Sequence, residues 1–400
     1  MFNGRQECED ARVYYEECVD RGRVSDFMEE ATQVIRSGQL DWNRFRIRPL
    51  FENFVPDGER VLSGWDEHRR ATGRTSGRYV EAPGDALDTS AFSNLLGQIQ
   101  YATTLEALDS PEFIGMNLVR TVPAITQYEE MRPGVAKIGD IAEDVGEGME
   151  YPIVRPSEEY ITIPKKIKDG FIIPWTREIV IEDNVGIMAR MNEMASESMG
   201  ITWERELLDT VLGQTTSYSR NGGPQQATYG NTHTQGDFDN TVASTLEDWS
   251  DVEAALLLFD AITDPNTGDP IILGGPIDMI VPSGLKMTAD RVVNSTEIRE
   301  TTNTNTVTIA PNPLNDAVGG SRIGKVYSSQ WVQDRTSSQT TWFIGNFQRA
   351  FEYSEVWAPD FQTMDGNSHS GFWRDIVGAV KISRKGTPAV VEPRRVVECT

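Results

Sequence analysis

Apolar residues recur at three- and four-residue steps through the first forty positions: Val13, Tyr14 and Cys18, then Phe27, Ala31, Val34 and Ile35. That spacing predicts helices over 5–40, punctuated by Gly22 and Gly38. Trp42, Phe45, Leu50, Phe51, Phe54 and Trp65 follow among charges, an aromatic density that needs a covering surface on this chain or on a neighbour. Residues 68–90 are polar and rich in Gly, Arg, Thr and Ser, as in a linker or arm. Phe92, Leu95, Leu96, Ile99, Leu105 and Leu108 restore a helical pattern over 91–120, and a strand-like stretch runs on to Gln127.

The pattern then changes. Asp140, Glu143, Asp144, Glu147 and Glu150 make a region acidic, and two short β runs follow, Tyr160–Ile163 and Phe171–Ile173, around Lys165, Lys166 and Lys168. Read together, these runs predict a long two-stranded hairpin. Such a hairpin would be marginal alone, so it is expected to rest on something else. The clearest helix spans 184–212: Ile187, Met191, Met194, Met199, Trp203, Leu207 and Val211 trace one stripe, with Asn184 as N-cap and Gly213 as stop. At 1.5 Å per residue it is about 43 Å long. The Met-rich stripe reads as packing surface rather than a binding groove.

Beyond it, 214–250 is turn-rich, 250–262 helical, and Met279–Pro282 a buried strand leading into a helix over 285–293. Thr/Asn-rich residues 300–313 alternate at Val307-Thr308-Ile309. From Ile323 the pattern is β: Ile323–Val332, Trp342–Gly345, Phe351–Tyr353, Ile376–Ile382 and Ala389–Val391. The mixture is α+β.

Composition narrows the function classes. A formal net charge of -24 repels phosphate, which excludes a sequence-reading DNA binder but allows a wall that confines nucleic acid without gripping it. Three cysteines, Cys8, Cys18 and Cys399, make no disulfide framework and point to a reducing site of synthesis. The opening residues carry no secretory signal, and no apolar run is long enough to span a membrane.

Motifs for chemistry are weak. Gly319–Lys325 has P-loop spacing, but Val326 stands where magnesium needs a hydroxyl, so a glycine turn entering a strand is preferred. Asp264–Asp269 begins like a calcium loop, yet Gly275 occupies the place of the closing Glu, and a turn is preferred. His68, His233 and His369 sit apart in polar surroundings, and neither a hydrolase nucleophile elbow nor a zinc-protease helix motif occurs. No catalytic, cofactor-binding or metal-binding residue is assigned.

Gly170-Phe171-Ile172-Ile173-Pro174-Trp175-Thr176-Arg177-Glu178, then Asp183-Asn184, then a long helix ending Leu207-Leu208, resembles the major head subunits of tailed phages, including Mu-like and other Hong Kong 97-type families. Phe372–Ile376, Lys381, Arg384-Lys385-Gly386 and Pro393-Arg394 resemble their closing strand. The resemblance covers about 120–400. It implies a Hong Kong 97-type capsid fold: an N-terminal arm with helices over 1–110, a peripheral domain from 111–137, 176–234 and 371–400 with the spine helix at 184–212, an extended loop over 138–175, and an axial domain over 235–370.

The implied function is a major capsid protein that self-assembles, through five- and six-membered rings, into an icosahedral head around double-stranded DNA. Its implied partners are other copies, a portal and decoration or scaffolding proteins; its implied location is the virion, after assembly in the host bacterial cytoplasm. Expected assembly residues are Tyr160, Ile161, Lys165, Lys166, Lys168 and Phe171 on the extended loop. Gly170, Thr176, Arg177, Glu178, Asp183, Met191 and Trp203 belong to the family motif and spine, and Trp42, Phe45, Phe51, Phe54 and Trp65 to the arm. One relative forms a covalent Lys–Asn crosslink; only Lys165, Lys166 or Lys168 could donate here, and nothing marks an acceptor. Two other readings stand beside this one: an encapsulin-like nanocompartment shell, and a cytoplasmic hydrolase with an unrecognised site. Removing residues 1–66 is expected to leave soluble protein that fails to form stable shells, with electron microscopy as the check; normal heads would refute the role given to the arm.

Overall fold

The computed structural model describes residues 5–21, 23–36, 47–54, 113–133, 160–176, 187–215, 218–230, 238–263, 270, 277–301, 307–312, 314–315, 323–365 and 376–400. The chain divides into two compact units: Met1–Ser110 with Lys168–Ile201 and Pro359–Arg384, and Pro111–Ile167 with Thr202–Ala358 and Lys385–Thr400.

In the first unit, α1 (Arg5–Asp20), α2 (Val24–Arg36) and α3 (Ile47–Phe54) form a small bundle. The three- and four-residue steps place Cys8, Ala11, Cys18, Phe27, Ala31, Leu50 and Phe54 inside it. Tyr15, Phe27 and Phe54 meet there, with ring centroids 5.2 Å apart for Tyr15–Phe27 and 5.9 Å for Tyr15–Phe54. The three cysteines are free and buried. Burial pushes the Cys8 thiol up to about 12, so it stays protonated at neutral pH.

The same unit holds β4 (Ile167–Thr176) from Lys168 onward, beside β12 (Ile376–Val390). Gly170 makes that approach possible: a Cβ there would press on the backbone of Ile382 and Ser383. Arg384, 2% exposed, pairs with Asp169 at 3.1 Å across the same strands.

The second unit is built on a five-stranded sheet in the order β5-β13-β10-β6-β9. Its strands are β5 (Thr241–Val242), β13 (Val396–Cys399), β10 (Trp342–Gly345), β6 (Ile277–Pro282) and β9 (Ile323–Ser329). β10 runs antiparallel to both β6 and β13, while β6–β9 and β13–β5 are parallel. β10 is buried at all four positions, as its unbroken apolar run requires. Trp342 anchors the core, its indole N–H donating to the Ser244 carbonyl at 2.9 Å.

Helices pack around this core where their ends are chemically fixed. Asp248 caps α6 (Trp249–Ala261) in a reciprocal box with Asp251. The long helix α5 (Ile187–Val211) ends at Gly213, whose φ of +70° needs no Cβ. Gln214 N–H donates to Asp209 O at 2.8 Å and Gly213 N–H to Thr210 O at 3.3 Å, which closes the helix end.

Two expectations are corrected. The β reading of Ile323–Val332 ends early: Ser329 turns the chain, its hydroxyl accepting from Trp331 N–H at 3.2 Å to cap α8 (Gln330–Thr336). The hairpin expected from Tyr160–Ile163 and Phe171–Ile173 does not pair with itself. β3 (Tyr160–Ile163) instead lies antiparallel to β2 (Glu130–Pro133), with Glu130 opposite Ile163 and Pro133 opposite Tyr160. β4 belongs to the four-stranded sheet β1-β11-β12-β4, where β1 (Arg120–Pro123) runs parallel to β11 (Phe351–Asp365).

Close packing makes one substitution diagnostic. A Cβ on Gly345 would press on the Arg395 carbonyl and lie 2.7 Å from Val396 Cα. Gly345→Ala is therefore expected to destabilise the chain by about 1–3 kcal/mol, read from the urea midpoint of dispersed protein.

Candidate functional site

The pairing of β2 with β3 encloses residues 134–159, so the two strands form the root of whatever that segment builds. The root alternates as a two-faced ribbon must. Glu130, Ile161 and Ile163 are buried, while Met131 and Pro133 face out.

An ion network holds the inner face. Lys166, its side chain 0% exposed, donates to Glu130 Oε2 at 2.9 Å and to the Tyr128 carbonyl at 3.1 Å. Arg132 lies 3.0 Å from Glu130 Oε1 and 3.1 Å from Glu352 Oε1, and Arg120 reaches Glu352 Oε2 at 2.9 Å. Both Arg132 contacts act by charge without aligned hydrogen bonds at those carboxylate oxygens. Three cations thus surround two buried carboxylates, linking β1, β2, β11 and the turn before β4. Burial works against the Glu130 charge. The Lys166 hydrogen bond and the Lys166 and Arg132 charges outweigh it and hold the carboxyl below its ordinary 4.5.

A second clasp lies at the start of α4 (Gly115–Leu118). Glu204 on α5 accepts from the Ile114 N–H at 2.9 Å and the Gly115 N–H at 2.9–3.1 Å. Gly115 leaves room for it, since a Cβ there would lie 2.7 Å from Glu204 Oε2. Burial raises the Glu204 carboxyl, and the two backbone donors only partly offset this.

Outward, the root carries apolar surface. Ile125 is 82% exposed, Tyr128 71%, Met131 68% and Ile167 54%. Glu130 and Lys166 fix the backbone beneath them, because Ile125 N–H donates to Glu130 Oε2 at 3.3 Å and the Tyr128 carbonyl accepts from Lys166. Sequence reading missed Ile125, Tyr128 and Met131; the X-Pro-rich, polar-flanked stretch gives no periodicity to flag them.

The residues expected from the sequence fall in several places. Tyr160 and Phe171 are half-buried and Ile161 is buried; Lys165 and Lys168 are exposed. Lys166 departs from the expectation of pairing outside the chain: its charge is neutralised by Glu130 of the same chain, which also removes it as a crosslink donor. Gly170 and Thr176 lie on β4. Trp203 packs against Tyr353 with centroids 5.7 Å apart, inside its own chain. Phe54 is likewise covered by its own bundle. Phe51 and Met191 are placed as backbone within α3 and α5. Arg177, Glu178, Asp183, Trp42, Phe45 and Trp65 lie outside the described residues, as do 134–159, Asp264–Asp269, Gly319–Arg322 and all three histidines. Among the described residues no cluster of His, Cys, Asp and Glu has the arrangement of a metal site, and no helix is long and apolar enough to cross a membrane.

Stability against pH checks the network. The Glu130 contribution is fully present above pH 4.5 and is lost as pH falls through the lowered carboxyl value. Lys166→Met is expected to cost about 3–5 kcal/mol near neutrality, because one buried partner is left behind. It should also flatten the acid-side loss of stability, measured by urea unfolding between pH 3 and 7, on the order of that window. An unchanged neutral stability would show the pair to be dispensable.

Comparison with known proteins follows from this geometry. The solved virus-like particle of Pyrococcus furiosus is similar at 10% identity, covering 75% of this chain and 98% of that one, with a TM-score of 0.39. A chain of Mycobacterium phage Bobi is similar at 10% identity over 72% of this chain and 89% of its own, TM-score 0.43. One of Gordonia phage Cozz is similar at 14% identity over 81% and 99%, TM-score 0.38. No curated protein sequence matches. Residues 159–398, more than half of the chain, match the family described as phage capsid protein, and the chain belongs to that family.

Proposed function

We propose that this chain is the major capsid protein of a tailed phage, building an icosahedral head around double-stranded DNA from pentameric and hexameric rings. The observation that carries the reading is the family match over 159–398. Family membership makes the chain a structural virion component that self-assembles into a shell, and it overturns the hydrolase reading. The finer picture is a Hong Kong 97-type subunit. In it, residues 134–159 project from the β2–β3 root over a neighbouring copy, α5 serves as the spine, and the α1–α3 bundle belongs to the arm. A portal and accessory head proteins would complete the particle in the bacterial cytoplasm.

The root's exposed surface supports this picture. Isolated soluble proteins seldom present several large apolar side chains around one small ribbon, and such patches mark contact sites. Ile125, Tyr128 and Met131 do so, above a network that holds their backbone in place. The network's net positive sign leaves Arg120, 61% exposed, available at the same margin.

Expressed protein should sediment as megadalton shells that are hollow by negative-stain microscopy. Particles from phage-producing cells should protect long double-stranded DNA from nuclease, whereas a protein cargo would favour a nanocompartment shell. A compact, stable monomer would sink both. The double substitution Ile125→Asp with Met131→Asp is expected to abolish shells while changing monomer stability by only about 0.5 kcal/mol, as exposed sites do. Wild-type shell yield from that variant would remove the root from the contact.

A further inference from the structure

The second unit contains a ribbon that its own body does not support. β7 (Glu297–Thr301) and β8 (Val307–Pro311) pair antiparallel from Glu297↔Pro311 to Thr301↔Val307. Among the described residues this two-stranded sheet joins no other sheet. Two strands without a packing partner are marginal in water. At the described side chains the ribbon is also open: Ile309 is 57% exposed, and Glu297, Ala310 and Pro311 are exposed.

Its base, in contrast, is tightly fixed. Asn312, 0% exposed, donates through its amide to the Val292 carbonyl at 2.8 Å and the Ser295 hydroxyl at 3.0 Å. Its side-chain carbonyl accepts from the Leu314 N–H at 3.0 Å, and its backbone N–H reaches Thr296 O at 3.1 Å. Asn315 donates to the Asn294 and Ser295 carbonyls at 2.8 and 3.2 Å. Val292 and Asn294 belong to the last turn of α7 (Lys286–Asn294), whose final carbonyls no helical N–H can reach. The two asparagines therefore serve both as the helix's C-terminal cap and as the ribbon's socket. The ribbon is aimed by its socket and left without a core.

We infer that the β7–β8 ribbon is an interface element completed by a second copy of this chain, distinct from the β2–β3 root. This rests on the shell reading above. Identical copies are the partner that reading supplies in the required number. A neighbour's matching ribbon brings the same apolar and β-branched surface and the same alternating Glu297, Arg299 and Glu300, whose opposite charges can cross-pair in register.

The test uses the full chain and its buried thiols. Since Cys8, Cys18 and Cys399 are buried, Ile309→Cys adds the one exposed thiol among the described residues. In assembled particles of this variant, a short bis-maleimide is expected to produce dimers and higher multimers on a denaturing gel. The same protein dispersed from particles should give monomer only. Ile309→Asp should lower shell yield at least tenfold, with an unchanged thermal midpoint for the dispersed chain. Thiols that label singly in intact particles, or that link only to a different protein, would overturn the inference, as would full shell yield from Ile309→Asp. Failure of the wild-type chain to form any shell would instead remove the capsid reading beneath it.

Discussion

Two carboxylates, Glu130 and Glu352, are almost fully enclosed, and neither could stay charged there without the three cations around it. Replacing such a network with apolar residues can raise stability, so its persistence is better explained by geometry than by free energy. Each pair ties together segments far apart in sequence: Arg120 reaches Glu352 on β11, Arg132 touches both carboxylates, and Lys166 closes the turn before β4. The positions of the β2–β3 root and of the apolar side chains on its outer face follow from that network. A shell protein needs such positions to be fixed before contact, because ordering them at contact would subtract from affinity.

The two ribbons of the second unit solve the same problem differently. The β2–β3 root is held by charge beneath its inner face, whereas the β7–β8 ribbon is held only at its base, by amides that complete a helix end. In both, the backbone is fixed inside the chain while apolar side chains stay outside. That combination separates an interface from a mere loop: exposure alone is common, but exposure on a fixed frame is not.

Much of the fold was legible in the sequence where one period dominated. The helical stripe over 184–212 became α5 at Ile187–Val211, and the apolar runs at Met279–Pro282 and Trp342–Gly345 became core strands. Gly213 was legible as a stop because a left-handed position favours glycine. Pairing was less legible. Tyr160–Ile163 and Phe171–Ile173 share the β pattern, but alternation says nothing about which strand lies beside which, and β3 found β2 thirty residues back. Lys166 was misplaced for a related reason: a lysine among β runs reads as solvated until the carboxylate that meets it is known. The β reading through Val332 failed because Ser329 acts as a cap, a local hydrogen bond that hydropathy does not register.

The Glu204 clasp carries a mechanical consequence. Its carboxylate grips the backbone N–H groups of Ile114 and Gly115 from ninety residues away, and β1 begins at Arg120, just past the short helix so gripped. The far half of α5 and the first strand of the sheet are thereby geared together. Any tilt imposed on the helix by a growing lattice would be transmitted to β1 as a lever transmits a turn, without a single new bond having to form.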